Sequence, residues 1–378
     1  MTGTNGTHIV EGKRSLPERV LIIVSRVFAY VFLGSWALVT LLPLFWLSYS
    51  SFKSNEELNR DIFAFPYELF ANSEDEYVVI RPSPTLRYPY DPKKDTRERL
   101  IIESTSIAPQ RRIHVFFLPK DELPPHIASL EPGDTLRVRD LPPKFQREIH
   151  WKTVFFNYIS AISYGKLAGK FVNSVIYAGV STVLIVLLSI MVGFGLSKFP
   201  FRRLSQIIGG YFGLGYLLSI PSIIIPLFLL MRSLHLVDTR IGVILVYTAF
   251  GLPLGVMLST QFISGLPSSL VESAAIDGAS VFRTFWSVIL PMSMPVAVTI
   301  AIINGLGIWN EFVLVLVLAS SEATKSLPVA VYAFTSLTST QLGWQLAALV
   351  LVTLPVVILY LAFNKRITEG VVAGAIKG

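Results

Sequence analysis

LPSSLVESAAIDGASVFRTFWSVILP, residues 266–291, is the stretch that decides the fold of this chain. It lies between two strongly apolar stretches, Ile241–Ile263 and Val288–Leu318, and is itself too polar to cross a membrane. Pro267, Ser268 and Ser269 read as a helix start, because Pro tolerates the first turn and a Ser hydroxyl accepts from free backbone N–H groups. Gly278 reads as the stop, since Gly takes up the left-handed conformation that ends a helix. Ser280 is placed to cap a second helix. The expected unit is a short helix, a Gly turn and another helix, held outside the membrane, with Glu272 and Asp277 projecting acidic groups. Such a shape suits mechanical contact with another protein. An Ala-rich loop helix that merely joins two spans is the plainer alternative.

Composition agrees with a membrane protein. Of 378 residues, 52% are apolar and 15% charged, and the mean hydropathy is +0.59. A soluble domain of this length has trouble hiding so much apolar surface. About 30 Å of hydrocarbon must be crossed at 1.5 Å per residue, so runs of about 20 apolar residues are candidate spans. Six occur, at 21–49, 171–196, 205–231, 241–263, 291–318 and 343–363. Pro221, Pro226, Pro253, Pro295 and Pro355 interrupt them. Pro is tolerated where neighbouring helices or water take up the freed carbonyl. The expected fold is an all-α bundle of six transmembrane helices with bent spans.

Lys and Arg near span ends set the orientation. They gather at Lys13, Arg14, Arg19 and Arg26, at Lys198, Arg202 and Arg203, at Arg283, and at Lys365, Arg366 and Lys377. With six spans all four groups fall on one side. That side should be cytoplasmic, which puts both termini and the 264–290 loop there. The net charge of +7 follows largely from this asymmetry and needs no nucleic acid. The first apolar run is too long for a signal-peptide core and shows no small-residue cleavage site, so it reads as an anchor.

Several chemistries find no support. There are no cysteines, which removes disulfides and thiol catalysis. His8, His114, His126, His150 and His235 show no metal-ligand spacing. The GKLAGK of Gly165–Lys170 fails the phosphate-loop spacing and lacks its hydroxyl residue. The chain is expected neither to hydrolyse ATP nor to catalyse covalent chemistry, and to carry no metal or cofactor.

Residues 53–165 differ sharply from the rest, being rich in Pro and in charges of both signs. Strand-like patches at Tyr77–Ile80, Leu100–Ile102, Ile113–Leu118 and Thr135–Val138 are punctuated at Pro92, Pro109, Pro124–Pro125 and Pro132–Gly133. A small β-rich extracytoplasmic insertion is the first reading, and a tether the alternative. The expected organisation is an N-terminal segment and first span over 1–52, the insertion over 53–165, and a five-span core over 166–378.

Glu272-Ser-Ala274, then Gly278, Val288 and Leu290–Pro291, resemble the EAA–Gly–hydrophobic–Leu-Pro signature of binding-protein-dependent ABC importer permeases. Ser273 replaces the usual Ala and Val288 a common Ile, both mild changes. The likeness extends to Ser51-Phe-Lys53 with Glu56–Glu57, to Phe171-Val-Asn-Ser174, to Ile220–Leu227 with Leu236-Val-Asp-Thr239, to Trp309-Asn-Glu-Phe312 and to the tail Gly370–Gly378. These resemble the carbohydrate-uptake branch, especially the second membrane subunit of maltose-type transporters. The resemblance covers 20–66 and 153–378 and says nothing of the insertion. It implies half of a translocation pore in a bacterial or archaeal cytoplasmic membrane. It further implies a second permease subunit, two cytoplasmic ATPase subunits that use ATP and Mg, and an extracytoplasmic solute-binding protein delivering sugar.

In that family the signature helix sits in a cleft of the ATPase, and its Glu pairs with a basic residue. That role passes to Glu272. Ser273, Ala274, Gly278 and Pro291 shape the loop, and Asp277 interacts with the same partner, the helix end or solvent. Within the spans, Asn304, Asn310 and Glu311 are unusual, since a carboxylate at membrane depth normally faces a cavity or a partner. A spacing of seven puts Asn304 and Glu311 on one helix face. They are expected either to line the pathway or, for Glu311, to sit at the interface. Trp309 reads as structural. A non-sugar importer, a secondary transporter or channel, and a membrane scaffold remain the alternatives.

Overall fold

The structure, a computed structural model, describes residues 16–66, 77–82, 99–104, 115–332, 334 and 341–375. His8, Lys13, Arg14, Pro92, Pro109, Ile113, His114 and Lys377 of the sequence reading lie outside them. The chain opens with α1 (Leu16–Ser50). Next comes α2 (Asn55–Arg60), whose Ser54 and Glu57 form a reciprocal cap: Ser54 Oγ accepts from Glu57 N–H and Glu57 Oε2 from Ser54 N–H.

The insertion then builds β1 (Tyr77–Arg81), β2 (Arg99–Ser104), β3 (Val115–Pro119), α3 (Pro125–Ala128), β4 (Thr135–Arg137), α4 (Pro143–Val154) and α5 (Phe156–Tyr164). Its strands form one antiparallel sheet in the order β3-β2-β1-β4, with Val78 opposite Ser104 and Leu136, and Ile101 opposite Phe117. Strand alternation sends Val78, Ile80, Leu100, Ile102, Phe116 and Leu118 to one face. There they bury against Ile127, Leu141, Phe145 and Ile149 from the covering helices and turns. The β-rich reading of this region therefore needs an addition, because a helical layer closes the core. The fourth strand is also shorter than the Thr135–Val138 patch: Val138 turns into a 3₁₀ turn and packs into the core.

The remaining helices are α6 (Leu167–Lys198), α7 (Arg202–Tyr216), α8 (Ile220–Ser233), α9 (Arg240–Ser264), α10 (Ser269–Ile276), α11 (Val281–Thr284), α12 (Leu290–Met292), α13 (Met294–Asn310), α14 (Val313–Leu318), α15 (Leu327–Tyr332) and α16 (Leu342–Ala375). Four of the described helices, α1, α6, α9 and α16, are long and apolar enough to cross a membrane. Two bent pairs, α7 with α8 and the α11–α12 segment with α13, bring the number to six.

Two expected spans are broken where the sequence suggested bends. The 205–231 run is two helices meeting at 104°. Pro221 sits in the first turn of α8, where a missing N–H is harmless but continuation from α7 is not. The 291–318 run resolves into α12, α13 and α14, and Pro295 restarts the chain at α13. Pro226, Pro253 and Pro355, by contrast, stay inside α8, α9 and α16.

The bundle is organised on α6 and α9. A Cβ at Gly251 would lie 2.3 Å from Ile185 Cδ1, and one at Gly255 would lie 2.9 Å from Ser189 Cβ. Small residues four apart thus let the two backbones close together, and Ser259 Oγ donates to Ser189 O at 2.6 Å across the seam. The α13 helix packs on both partners, and Val296 and Ile300 bury with Ile185.

Candidate functional site

The loop between α9 and α13 has one rooted side and one open side. At its root, Phe285 and Ile289 bury with Ile190, Phe194, Ile263 and Ala297, while Leu266 and Val271 pack onto the same cluster. Lys198 Nζ donates to Leu266 O at 2.5 Å, tying α6 to the loop's start. Phe285–Ile289 forms one wide turn in which Leu290 N–H reaches back to Phe285 O. Pro291 follows directly, and the wide turn avoids forcing its ring against the preceding turn of an α-helix.

The α10 helix starts next to Pro267 as its sequence indicates, but Ser268 is itself helical (φ −66°, ψ −25°) and its side chain makes no capping bond. The first turn is held by backbone bonds instead, with Glu272 N–H on Ser268 O at 3.1 Å. Gly278 ends the helix at φ +75°. Its N–H bonds Ala275 O and the Ala279 N–H bonds Ala274 O, the paired closure that requires a left-handed residue. Ser280 Oγ then accepts from Arg283 N–H at 3.3 Å and starts α11. Two short helices are therefore set at a fixed angle through one Gly.

Glu272, Ser273, Asp277, Gly278 and Pro291 are exposed, and Ala274 is half-buried. Beside them stands an apolar group that sequence reasoning missed: Ile276 is 86% exposed, Phe282 66% and Val281 56%. The signal was present, because these apolar residues flank the Gly turn in a segment with no span of its own. A carboxylate next to an uncovered apolar patch has the composition of a contact surface.

The polar residues of the last core spans separate. Asn304 is buried, donates to Ile300 O of its own helix at 3.0 Å, and turns its Oδ1 toward Gly251 of α9. Asn310 is exposed and donates to Leu306 O at 2.9 Å. Glu311 does not share a helix face with Asn304, because α13 ends at Asn310 and Glu311 is extended (φ −72°, ψ 133°). Its carboxylate accepts from Val313 N–H at 2.7 Å and Leu314 N–H at 3.0 Å, and so caps α14. Tyr247 of α9 donates its phenol to the other oxygen at 2.9 Å. The break frees backbone donors inside the bundle, and the carboxylate satisfies them. Trp309 is buried against Phe171 and donates to Val352 O at 3.4 Å, a structural position.

A second polar cluster lies at the opposite end of α6 and α9 from the loop. Asp238, held at φ +60°, accepts through one oxygen from Ser320 N–H, Ser321 N–H, Ser321 Oγ and Thr324 Oγ1. Burial works against its charge, yet these donors outweigh it and hold the carboxyl below its ordinary range. Asn173 Nδ2 donates to Ala323 O and Lys325 O, Tyr177 to Thr324 O, and Arg240 Nε to Asn173 Oδ1. The buried Lys170 meets Glu322 at 2.7 Å, as does Lys325. The segment 319–327 is thereby strapped to α6 and α9. Sequence reasoning gave Lys170, Asp238 and Glu322 no role, since the Lys170–Glu322 pair and the bonds of Asp238 to 320–324 join distant parts of the chain.

Residues 154–372 match the family described as "Binding-protein-dependent transport system inner membrane component". The chain is 34% identical over 243 residues to the diacetylchitobiose uptake system permease of Streptomyces coelicolor, covering 63% of this chain and 78% of that protein. It is 32% identical over 253 residues to the trehalose transport system permease of Mycobacterium tuberculosis, covering 66% and 89%. It is 31% identical over 230 residues to the melibiose/raffinose/stachyose import permease of Bacillus subtilis, covering 59% and 81%. A solved bacterial ABC transporter involved in the import of alginate shares the fold, with TM-score 0.57, 19% identity, and coverage of 93% of this chain and 98% of that one. A helical bundle of membrane-spanning segments and a family match over more than half the chain lead to one conclusion. This protein belongs to the binding-protein-dependent inner-membrane components, the permease subunits of ABC importers, which are membrane proteins without enzymatic activity of their own.

Proposed function

We propose that this chain forms half of the translocation pathway of an ATP-driven importer for sugars or oligosaccharides, and is moved through the loop around Glu272. The observation that carries the reading is the open face of α10 and α11. Glu272, Ile276, Val281 and Phe282 stand uncovered together, on a turn locked at Gly278 and rooted in α6, α9 and α13. A rooted loop transmits displacement, whereas a slack one absorbs it.

In this reading the open face docks on a cytoplasmic ATPase subunit. Glu272 pairs with a basic residue there, a contact worth about 1.5–3 kcal/mol when well made. Ile276, Val281 and Phe282 fill an apolar cleft beside it, Ser273 and Ala274 allow close approach, and Asp277 lies at the rim. Two ATPase subunits bind ATP and Mg, and their closure pulls this loop and its counterpart on a second permease subunit. Rocking of the two bundles then alternates access. Asn310, exposed at the break after α13, is the candidate for lining the pathway. Asn304 and Glu311 hold the surrounding helices. Sugar specificity is supported by the uptake systems named for the relatives.

The membrane is a bacterial or archaeal cytoplasmic membrane, with both termini and 264–290 on the cytoplasmic side. The insertion of 53–165 lies outside, between the first span and the core of 166–378. Its own apolar core supports a docking domain for the solute-binding protein. Cross-linking tests the loop assignment. In the assembled complex, Ser273→Cys carrying a short photoreactive probe should yield an adduct with the ATPase subunit. An adduct found elsewhere, or none, contradicts it.

A further inference from the structure

The segment Asp61–Pro66, which leads from α2 toward the insertion, folds back along the end of α1. Phe65 stacks on Tyr49 at 4.7 Å between ring centres and meets Phe45 at 6.4 Å, and Phe63 meets Trp46 at 6.2 Å. Phe45 lies five residues before the end of α1, so at 1.5 Å per residue the segment reaches about 7.5 Å back along the span. The α1 span itself has none of its apolar window buried within this chain.

What distinguishes the segment is where its polar groups go. Lys53 Nζ donates to Asp61 O and Ile62 O, both at 2.9 Å. Trp46 Nε1 donates to Ile62 O at 3.0 Å and Tyr49 to Phe63 O at 2.8 Å. Asp61 Oδ1 accepts from Phe63 N–H and Ala64 N–H, and Asp61 N–H bonds Glu57 O. The carbonyls of 61, 62 and 63 and the amides of 61, 63 and 64 are all satisfied from within the protein. Phe63 is 73% exposed, Phe65 63% and Ile62 47%, and the exposed Asp61 at the segment's start spends Oδ1 on the Phe63 and Ala64 amides. A loop meant for water leaves its backbone to water and hides its aromatics. This one bonds those six backbone groups internally and exposes its aromatics, which suits backbone lying at the edge of an apolar medium. Trp and Tyr at a span end belong at the boundary between hydrocarbon and headgroups, and Phe63 and Phe65 pack on Trp46 and Tyr49 there.

We infer that Asp61–Pro66 is a lipid-binding anchor, inserted with Phe63 and Phe65 into the interface of the bilayer leaflet at the outer end of α1. The leaflet is named from the topology in "Proposed function"; the depth of insertion does not depend on it. The anchor pins the base of the insertion to the membrane surface. Its occupant is lipid because Phe65 meets Phe45, itself 61% exposed on the open apolar flank of α1.

The test uses the native absence of cysteine. Phe63→Cys and Phe65→Cys, each with a nitroxide label, are placed in the full transporter reconstituted into phosphatidylethanolamine/phosphatidylglycerol vesicles. Collisions with oxygen and with a water-soluble nickel chelate are measured at each site. Val39→Cys on the exposed flank of α1 serves as the hydrocarbon control and Glu131→Cys as the aqueous one. The oxygen-to-chelate ratio at 63 and 65 should be several-fold above that at 131 and approach that at 39. A ratio like that at 131 overturns the anchor. Protection from both reagents also overturns it, since a protein partner then covers the patch. Ile62→Cys repeats the reading if either Phe variant fails to assemble. A failure of the assumed topology shows separately, as labelling of positions 131 and 273 from the same side.

Discussion

Tyr247 and Glu311, 64 residues apart, join α9 to the break between α13 and α14 through a phenol-to-carboxylate bond of 2.9 Å. The same carboxylate caps the first turn of α14. One acidic side chain thus serves two helices. This is why it tolerates a position in the bundle where an unpaired carboxylate would be costly.

Removing the cap should cost more than removing the phenol. Glu311→Ala strands the amides of Val313 and Leu314, with an expected loss of about 1.5–3 kcal/mol. Tyr247→Phe leaves those bonds intact and should cost about 1.5 kcal/mol, the low end for a single bond to a charged group. Thermal unfolding in detergent ranks the two, and the reverse order contradicts the capping role.

The α6–α9 seam has no room at Gly255. A Cβ there meets Ser189 Cβ at 2.9 Å, whereas one at Gly179 meets nothing within 4 Å. Gly255→Leu should destabilise the chain by about 1–3 kcal/mol or more through overpacking. Gly179→Leu should be close to neutral. Comparable stability of the two variants would show that the close approach is not structural.

Glu322 sets a pH window. The hydrogen bonds from Lys170 and Lys325 pull its carboxyl from 4.5 to about 2. A depressed folded value means that the contribution is complete above 4.5 and is lost as pH falls through about 2. The stability difference between the native chain and Glu322→Gln should therefore stay level from pH 7.5 to 5 and shrink only below 4.5. A difference that already collapses between pH 7 and 5 counts against the Lys170–Glu322–Lys325 arrangement.

Sidedness follows from one reagent. Glu131→Cys should react with an impermeant thiol reagent on intact cells, and Ser273→Cys only after permeabilisation. The opposite pattern reverses the proposed orientation.

What the sequence made legible was what local chemistry dictates. Gly278 announced its turn because few other residues take φ +75°, and the 3₁₀-flanked, β-rich insertion announced itself by punctuation and alternation. Pro221 and Pro295 restart helices while Pro226, Pro253 and Pro355 ride inside them, and the break at Glu311 carries no proline at all. Tertiary packing decides between those outcomes. The spacing of Asn304 and Glu311 misled because a helical period was carried across a break. The Lys170–Glu322 pair and the bonds of Asp238 to 320–324 were not legible, since each joins distant parts of the chain. The open residues Ile276, Val281 and Phe282 could have been read from their place beside the Gly turn in a segment with no span of its own, but apolar side chains read as core until the fold leaves them uncovered.

Solute uptake into proteoliposomes containing this chain, its second permease, the ATPase subunits and the binding protein tests the central claim most directly. The account predicts ATP-dependent uptake by the native assembly. It predicts a large loss with Glu272→Ala or Gly278→Leu, while the helical bundle unfolds at its native temperature. Native rates of uptake with both variants, or uptake by this chain without any ATPase, would contradict the assignment of the Glu272 loop as the element that couples ATP to transport.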